Sequence, residues 1–289
     1  MALDNHLEQF VNYLEGIGRS RSTIIAYKKD IEQLNNFLDE EHKVSEAKTL
    51  TSELLQEYVE SLIDSGNYTL KTVSRKINSL KTFCKYLLSE GLIVNDISKP
   101  ISHPEFEPQL PRVLSPLEYR ALRDTARSNL RLYTMVELLL QTGIRIGELS
   151  RLKRKHVQFN RKLLHVVEYS SNPYRMIELN ENILAALRSF TEEFNYDTDE
   201  EHLFQTKTGR AVLIRNIRTA INRAFKKAGI KNATVNDIRN TFIVFQLENG
   251  IKTERLAEIV GHQKPTTTEK YLQLVEDRPK RTTNKIEPL

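Results

Sequence analysis

Four side chains in the second half of the chain have the types needed to attack a phosphodiester. They are Arg145, Arg239, His262 and Tyr271. Two guanidiniums can each donate paired hydrogen bonds to the non-bridging oxygens of a phosphate. A histidine can hydrogen-bond the same phosphate or move a proton, and a tyrosine hydroxyl can become the nucleophile. The ordered set therefore predicts phosphoryl transfer, although each residue alone is a weak signal.

The elements around these residues can be predicted from apolar periodicity and turn residues. The run Ser115-Pro-Leu-Glu118 has the serine cap, the proline and the glutamate of a helix start. Leu130–Gln141 is strongly apolar, which indicates a buried helix. Short strands are predicted at 157–159, Leu163–Glu168 and Arg175–Leu179. Further helices are predicted at Ile183–Phe194, Ile214–Ala228, Asp237–Asn249 and Thr253–Val260.

The first hundred residues predict an all-α module. Apolar residues recur at helical spacing in 7–14 and 24–38, and two more helical patterns run from Thr51 to about Ser65 and from Leu70 to Glu90. Prolines at 100, 104, 108 and 111 then indicate an extended linker. We therefore expect a helical domain over 1–98, a linker over 99–113 and a second domain over 114–289.

Composition limits the class of protein. The 289 residues are 39% hydrophobic and 28% charged, which suits about two globular domains. No apolar run is long enough to cross a membrane, and the start lacks a signal segment. The single cysteine, Cys84, excludes an internal disulfide and favours a buried core thiol. We expect an intracellular, cytoplasmic protein with no metal site.

The distribution of basic residues suggests a nucleic-acid partner. The net charge is +5, which is weak evidence alone. The stretch from Thr69 to Ser89 is more informative, because it is rich in lysine and arginine and has no acidic residue. We predict DNA contacts, mostly to phosphates, from Lys71, Arg75, Lys76 and Lys81. The alternative is an ordinary solvated helix face.

These motifs together resemble the tyrosine recombinase family, which contains phage integrases and Xer proteins. Gly18–Tyr27 resembles the opening of the family's core-binding domain, and Thr142–Leu149 resembles its first catalytic box. Asn236–Phe242, Leu256–His262 and Tyr271 resemble its second. The resemblance implies a mainly α fold with a small β-sheet. It consists of an N-terminal four-helix core-binding (SAM-like) domain and a C-terminal α+β catalytic domain.

The resemblance also implies a mechanism. Tyr271 would attack the scissile phosphate and form a 3′-phosphotyrosine, which a 5′-hydroxyl of a partner strand then resolves. Arg145 and Arg239 would neutralise the transition-state charge, and His262 would hydrogen-bond the same phosphate. Glu148 would hold the Arg145 guanidinium in place. Neither metal nor cofactor is implied. The partners are a double-stranded recombination site and further copies of the chain, a dimer on a core site and a tetramer in the synapse.

Two positions depart from the family pattern. Asn236 stands where the family has a histidine, although an asparagine there also suits a helix N-cap. The family's lysine lies in a β-hairpin turn, but residues 166–179 contain no lysine, and Ser170 lies nearest that place. Ser170 is also a typical turn residue, and Lys162 and Lys207 are alternative sources of the missing ammonium. The chain is therefore an active, divergent recombinase, a DNA-binding relative without cleavage, or a type IB topoisomerase-like enzyme.

Two further expectations concern biology and assembly. The departures favour a transposon-borne resolvase that separates cointegrates, with resolution of replicon dimers as the other role. Such an enzyme would be associated with the nucleoid when bound to DNA. After Tyr271, the segment Leu272–Val275 begins apolar and the remainder is polar. We expect this tail to dock on a neighbouring protomer.

Overall fold

The chain forms two compact units, one on each side of residue 108. A computed structural model describes residues 3–107, 109–169, 172–194, 196–275 and 283–289. The fold is mainly helical with one small antiparallel sheet, as predicted. Within the described residues, no helix combines the length and the apolar character needed to span a membrane.

The first unit is built from four α-helices around one apolar core. Hydroxyl side chains cap the last three, since Ser20, Thr51 and Thr69 each accept a backbone N–H of the first turn. The core includes the fully buried Phe10 and Phe83. Its packing extends to Ile101, inside the segment predicted as a linker. The helices are α1 Leu3–Gly16, α2 Arg21–His42, α3 Ser52–Asp64 and α4 Leu70–Ser89.

A buried carboxylate ties α2 to α4 within this unit. Asp30 is 4% exposed and accepts two hydrogen bonds from Arg75, one from Lys76 at 3.0 Å and one from Ser79 at 2.7 Å. The Lys76 ammonium also donates to Gln33 at 2.6 Å. Burial by itself would raise the pKa of Asp30. The bonds from Arg75, Ser79 and Lys76 outweigh it and lower that pKa.

This cluster engages two of the four α4 residues that are predicted to contact DNA. Lys76 is only 7% exposed, and its ammonium is satisfied inside the unit, so it does not offer a free charge to a phosphate. Arg75 is partly exposed, but its guanidinium is committed to Asp30. Lys71 is exposed and Lys81 is half-buried, and these two remain as predicted contacts. Periodicity alone did not reveal that an acidic residue from α2 would reach the basic face.

The second unit contains eight α-helices among its described residues. The capping box predicted at Ser115 and Glu118 starts the first of them. The next, α6, is buried along most of its length, and α5, α8, α9 and α10 all contact it. The helices are α5 Pro116–Ala126, α6 Leu130–Thr142, α7 Ile146–Arg151, α8 Glu181–Glu193, α9 Ile214–Lys227, α10 Val235–Glu248, α11 Thr253–Val260 and α12 Thr266–Glu269.

Three short strands form an antiparallel sheet, close to the predicted positions. They are β1 Val157–Gln158, β2 Leu163–Val166 and β3 Arg175–Glu178, in that spatial order. Leu164 pairs with Ile177 and Val166 pairs with Arg175, and these four side chains are the buried ones of β2 and β3. The strand alternation therefore directs Arg175 towards the interior.

The segment beyond Tyr271 is only partly described. Residues 270–274 form a 3₁₀ turn, and residues 276–282 lie outside the described residues. Residues 283–289 pack on their own unit. Thr283 donates its backbone N–H to the Gly250 carbonyl at 2.8 Å, and the Gln246 side chain bonds both backbone groups of Glu287 at 2.6 and 2.9 Å. Docking of this tail on a neighbouring protomer stays a prediction. It would require residues 283–289 to give up these contacts with their own unit.

We expect Asp30→Ala to destabilise the first unit by about 3–5 kcal/mol, since the change leaves the Lys76 ammonium buried without its carboxylate. The folded-state pKa of Asp30 lies below its unfolded value. Its stabilisation is therefore present above the unfolded pKa and is lost as pH falls through the folded one. Hydrogen exchange of the α4 amides in the full chain measures the effect, and the difference between wild type and variant should shrink on acidification.

Glu32→Ala is the matched control, because Glu32 pairs with Lys28 at 3.8 Å on the exposed face of α2. This change should cost less than about 1 kcal/mol. Equal protection losses in the two variants would show that Asp30 does not anchor α4.

Candidate active site

The end of α11 gathers the two predicted arginines. Arg145 donates to the carbonyl oxygens of Val260 at 3.1 Å and Gly261 at 3.0 Å. Arg239 donates to the same Val260 oxygen at 2.7 Å and to the Gly143 carbonyl at 2.5 Å. Carbonyls at a helix C-terminus lack intrahelical partners and carry partial negative charge. They therefore fix two guanidiniums from different helices side by side.

Arg175 is a third guanidinium at this place, and it lies outside the set of residues predicted for the site. It donates to the Ile259 carbonyl at 2.6 Å and makes two bonds to Glu148, at 3.0 and 2.8 Å. Arg175 is 8% exposed and Glu148 is 3% exposed. The signal was present in the strand pattern, because Arg175 shares the inward face of β3 with Ile177.

Glu148 supports Arg145 mainly through the backbone. Its carboxylate accepts the Arg145 backbone N–H at 2.8 Å, whereas the contact to the Arg145 guanidinium is 3.5 Å long. Its stronger partner is Arg175. The pKa of Glu148 is lowered although burial acts to raise it, because the bonds and charge of Arg175 and the contacts with Arg145 favour the anion.

Two glycines allow these close approaches. Gly143 ends α6 in the left-handed conformation, with φ of 61°, and a Cβ there would lie 2.3 Å from a ring carbon of Phe242 on α10. Gly261 ends α11 with φ of 68°, and a Cβ there would lie 2.9 Å from the Arg175 guanidinium. Both positions need glycine for conformation and for space.

His262 follows directly after Gly261, the C-cap of α11. Its Nδ1 lies 2.7 Å from the hydroxyl of the fully buried Thr268. Burial, and then the charges of Arg239 and Arg145, lower the pKa of His262 to about 3. The imidazole is therefore neutral near pH 7, with one nitrogen that donates a hydrogen bond and one that accepts a hydrogen bond.

Tyr271 is held next to this cluster. It is 6% exposed, and its ring stacks against His262 with centroids 6.4 Å apart. Burial raises the pKa of the Tyr271 hydroxyl, and the charges of Arg239 and Arg145 act in the opposite direction. The structure thus brings Arg145, Arg239, His262 and Tyr271 together around the end of α11.

The two departing positions are placed differently. Asn236 is exposed on the first turn of α10. It is not the N-cap, because Thr234 caps this helix in a capping box with Asp237, so the capping interpretation of Asn236 was wrong. Ser170 lies outside the described residues. The flanking Tyr169 and Asn172 exchange backbone hydrogen bonds of 3.1 and 2.9 Å.

The proposed sources of a replacement ammonium differ in surroundings. Lys162 forms an exposed pair with Glu181, and Lys207 is exposed in the turn 206–210. Lys270 places its ammonium 5.4 Å from the centre of the Tyr271 ring and contributes to the low pKa of His262. A cation therefore lies beside the tyrosine, although not at the hairpin position.

A basic helix face was also missed. α9 carries five cationic residues and no acidic one, and they occupy the face opposite the buried Ile217, Ile221 and Ala224. The residues are Arg215, Arg218, Arg223, Lys226 and Lys227. The start of α9 packs on α7, which follows Arg145, since Ile214 lies against Gly147. A helical wheel of the predicted helix would have shown this face.

A metal-binding cluster of histidine, cysteine or acidic residues is not found in the described part of the chain.

Comparison with known proteins finds a matching family model for each of the two units. Residues 112–278 match the phage integrase family, and residues 7–91 match the phage integrase N-terminal SAM-like domain. Tyrosine recombinase XerD of Staphylococcus epidermidis is 28% identical over 275 residues, 92% of each chain. XerD of Staphylococcus aureus is 26% identical, with 99% of each chain covered.

Solved structures show the same fold. A XerA recombinase is 28% identical, with 93% of each chain covered and a TM-score of 0.52. A lambda integrase, solved as a tetramer bound to a Holliday junction, is 19% identical with a TM-score of 0.77, and the match covers 99% of this chain and 80% of that one.

Breaking the buried pair at the site should be costly. We expect Glu148→Gln to lower the free energy of unfolding by about 3–5 kcal/mol, because Arg175 is left buried opposite a neutral amide. Arg175→Met added to Glu148→Gln should restore part of that loss, since neither charge is then unpaired. Thermal or denaturant unfolding of Glu148→Gln, Arg175→Met and the double variant measures the coupling.

Glu258→Gln on α11 is the control, because its pair with Arg255 is exposed and should be worth less than about 1 kcal/mol. Strictly additive effects of Glu148→Gln and Arg175→Met would exclude a coupled pair.

Proposed function

Because the chain belongs to the phage integrase family, we propose that it is an active site-specific DNA recombinase that cuts and rejoins strands through a 3′-phosphotyrosine. The observation that carries this proposal is the shared acceptor at Val260. Arg145 and Arg239 donate to one oxygen, while His262 and Tyr271 stack two and eleven residues further along. This arrangement suits a phosphate in contact with both guanidiniums and the phenol.

The chemistry follows from these positions. The Tyr271 oxygen forms a bond to phosphorus, the bond from phosphorus to the 5′-oxygen breaks, and that oxygen leaves as a hydroxyl after taking a proton. Arg145 and Arg239 neutralise charge on the non-bridging oxygens. The neutral imidazole of His262 hydrogen-bonds the same phosphate. The phenol proton leaves to solvent, and solvent supplies the proton that the 5′-oxygen takes. Attack by a 5′-hydroxyl of the partner strand reverses these steps and rejoins the DNA.

The altered positions lower the rate under this proposal without removing the reaction. General acid assistance contributes typically about 10²–10⁴-fold. Asn236 does not titrate. The family's hairpin lysine is missing, because residues 166–179 contain no lysine and Ser170 lies nearest its position. The guanidinium pair, which supplies most of the stabilisation of charge, is retained, and so is the nucleophile.

The proposal includes the partners and the biological role. The substrate is double-stranded DNA with two core sites, bound by a dimer on each site and by a tetramer in the synapse. Action takes place on the nucleoid in the cytoplasm. Separation of transposon cointegrates is the role favoured by the two altered positions, with resolution of replicon dimers as the other. A transposase gene next to this one would support the first.

Covalent capture tests the nucleophile. The substrate is a duplex selected from random-sequence DNA by binding to the full-length protein, with a nick placed so that a short 5′-hydroxyl fragment diffuses away after cleavage. Wild type should give a protein–DNA band that survives denaturation. Tyr271→Phe should give none, with affinity for the duplex within a few-fold, because only the phenolic oxygen is lost.

Tyr174→Phe is the matched control, since Tyr174 is 52% exposed on the hairpin and bonds His165. It should capture DNA like wild type. Sequence-specific binding by wild type without a covalent band would identify a DNA-binding relative. Relaxation of supercoiled plasmids that lack the selected site would identify a type IB topoisomerase-like enzyme.

The α9 face should contact DNA phosphates. Arg218→Ala and Lys226→Ala are each expected to lower the slope of log affinity against log salt by about 0.9, because each removes one phosphate contact. Binding isotherms on the selected duplex at several salt concentrations measure the slope. Lys155→Ala is the control, because Lys155 pairs with Glu200 at the protein surface. If the slope in Arg218→Ala and Lys226→Ala is as unchanged as in the control, α9 is an ordinary solvated helix face that does not contact DNA.

A further inference from the structure

The hydroxyl of Tyr271 makes a hydrogen bond to a side chain that is not among the predicted site residues. Its oxygen donates a hydrogen bond of 2.8 Å to Oδ1 of Asn240 on α10. Asn240 comes directly after Arg239, and its side chain is half-buried. The nucleophile proposed above is therefore tied to the same helix that supplies one of the guanidiniums.

The orientation of the Asn240 amide is fixed by its other partners. Nδ2 lies 3.0 Å from the backbone carbonyl of Arg112 and 3.3 Å from the carboxylate of Asp237. Both partners are acceptors, and the same carboxylate also receives the backbone N–H of Thr234. A flipped amide would place its oxygen against two acceptors. Oδ1 must therefore face Tyr271, and the phenol must be the donor.

We propose that Asn240 is a positioning residue that sets the direction of the Tyr271 hydroxyl and keeps its proton on the oxygen until the nucleophile attacks. An amide oxygen accepts a hydrogen bond but does not take up the proton. Its lone pair therefore orients the phenol without removing its proton. This inference rests on the proposed function for its catalytic meaning, but the hydrogen bond can be tested without DNA.

The charged and titratable groups around Tyr271 come from several elements. Arg145 and Arg239 favour its phenolate, whereas Asp237 disfavours it. His262 stacks on the ring and Lys270 lies over it. Substitution at position 240 leaves all of these groups in place. A change in the titration of Tyr271 then reports the lost or altered partner.

Thr241 provides a matched control. It is buried next to Asn240, and its hydroxyl accepts the backbone N–H of Leu114 at 2.9 Å. Asn240 and Thr241 thus hold the same incoming segment, through Arg112 and Leu114 respectively. Of the two, Asn240 bonds the phenol. Thr241→Val removes one anchor of that segment without changing the partner of Tyr271.

Fluorine NMR of the free, full-length protein tests the hydrogen bond. All 11 tyrosines are replaced by 3-fluorotyrosine, which ionises at lower pH than tyrosine, and Tyr271→Phe assigns the relevant signal. Asn240→Ala should move the titration of this signal to lower pH by about 0.5–1 unit, because a bond that stabilises the neutral phenol is lost.

Asn240→Asp should move the same titration to higher pH, because a carboxylate beside the phenol opposes the phenolate. Thr241→Val should leave it unchanged. Opposite shifts in the two Asn240 variants cannot come from partial unfolding, which would affect both in the same direction. An unchanged titration in Asn240→Ala overturns the role of Asn240, whatever the DNA assay gives.

Single-turnover capture of the selected nicked duplex tests positioning. Asn240→Ala should form the covalent complex at least about 10-fold more slowly across pH, with duplex affinity within two-fold, since loss of orientation at the reacting atom is costly. Thr241→Val should react like wild type. A wild-type rate in Asn240→Ala overturns positioning. Failure of wild type itself to form any covalent complex overturns the proposed function instead, and the fluorine result then stands separately.

Discussion

Three carbonyl oxygens at the end of α11 hold the site together. Ile259, Val260 and Gly261 accept guanidinium N–H groups that arrive from β3, the start of α7 and α10. A guanidinium is donor-only and planar, so it suits a row of acceptors that the helix itself cannot satisfy. The positions of α7, α10 and the sheet relative to one another are therefore set by one helix terminus, and His262 follows directly from it.

Positive charge is in excess around this helix terminus. Three guanidiniums face one carboxylate, Glu148, and the paired member is mainly Arg175. Arg145 and Arg239 keep their charge although burial lowers the pKa of each. Burial, together with the same excess of positive charge, keeps His262 neutral. Fixed donors around an anion site require little reorganisation when charge develops, and this preorganisation is where a phosphoryl-transfer enzyme gains most.

Basic residues have opposite uses in the two units. On α4, Lys76 and Arg75 close a buried network around Asp30, and their charge stabilises the helical core. On α9, five cations project to solvent from a helix without acidic residues. Composition treats these residues alike. Their environment differs because α2 carries an acidic residue on the face that meets α4, whereas α9 buries only apolar side chains.

The sequence by itself determined the local structure and the main reactive set. Periodicity and caps predicted the four-helix unit, the start at Ser115 and most helices to within a few residues, because these signals are local. The ordered frames around Arg145, Arg239, His262 and Tyr271 identified the residues that the fold assembles. Tertiary structure decided which cations are free, why Arg175 is inward and paired, and that Tyr271 bonds Asn240. Those contacts join residues far apart in the chain, and their partners depend on how helices pack, which no local pattern records.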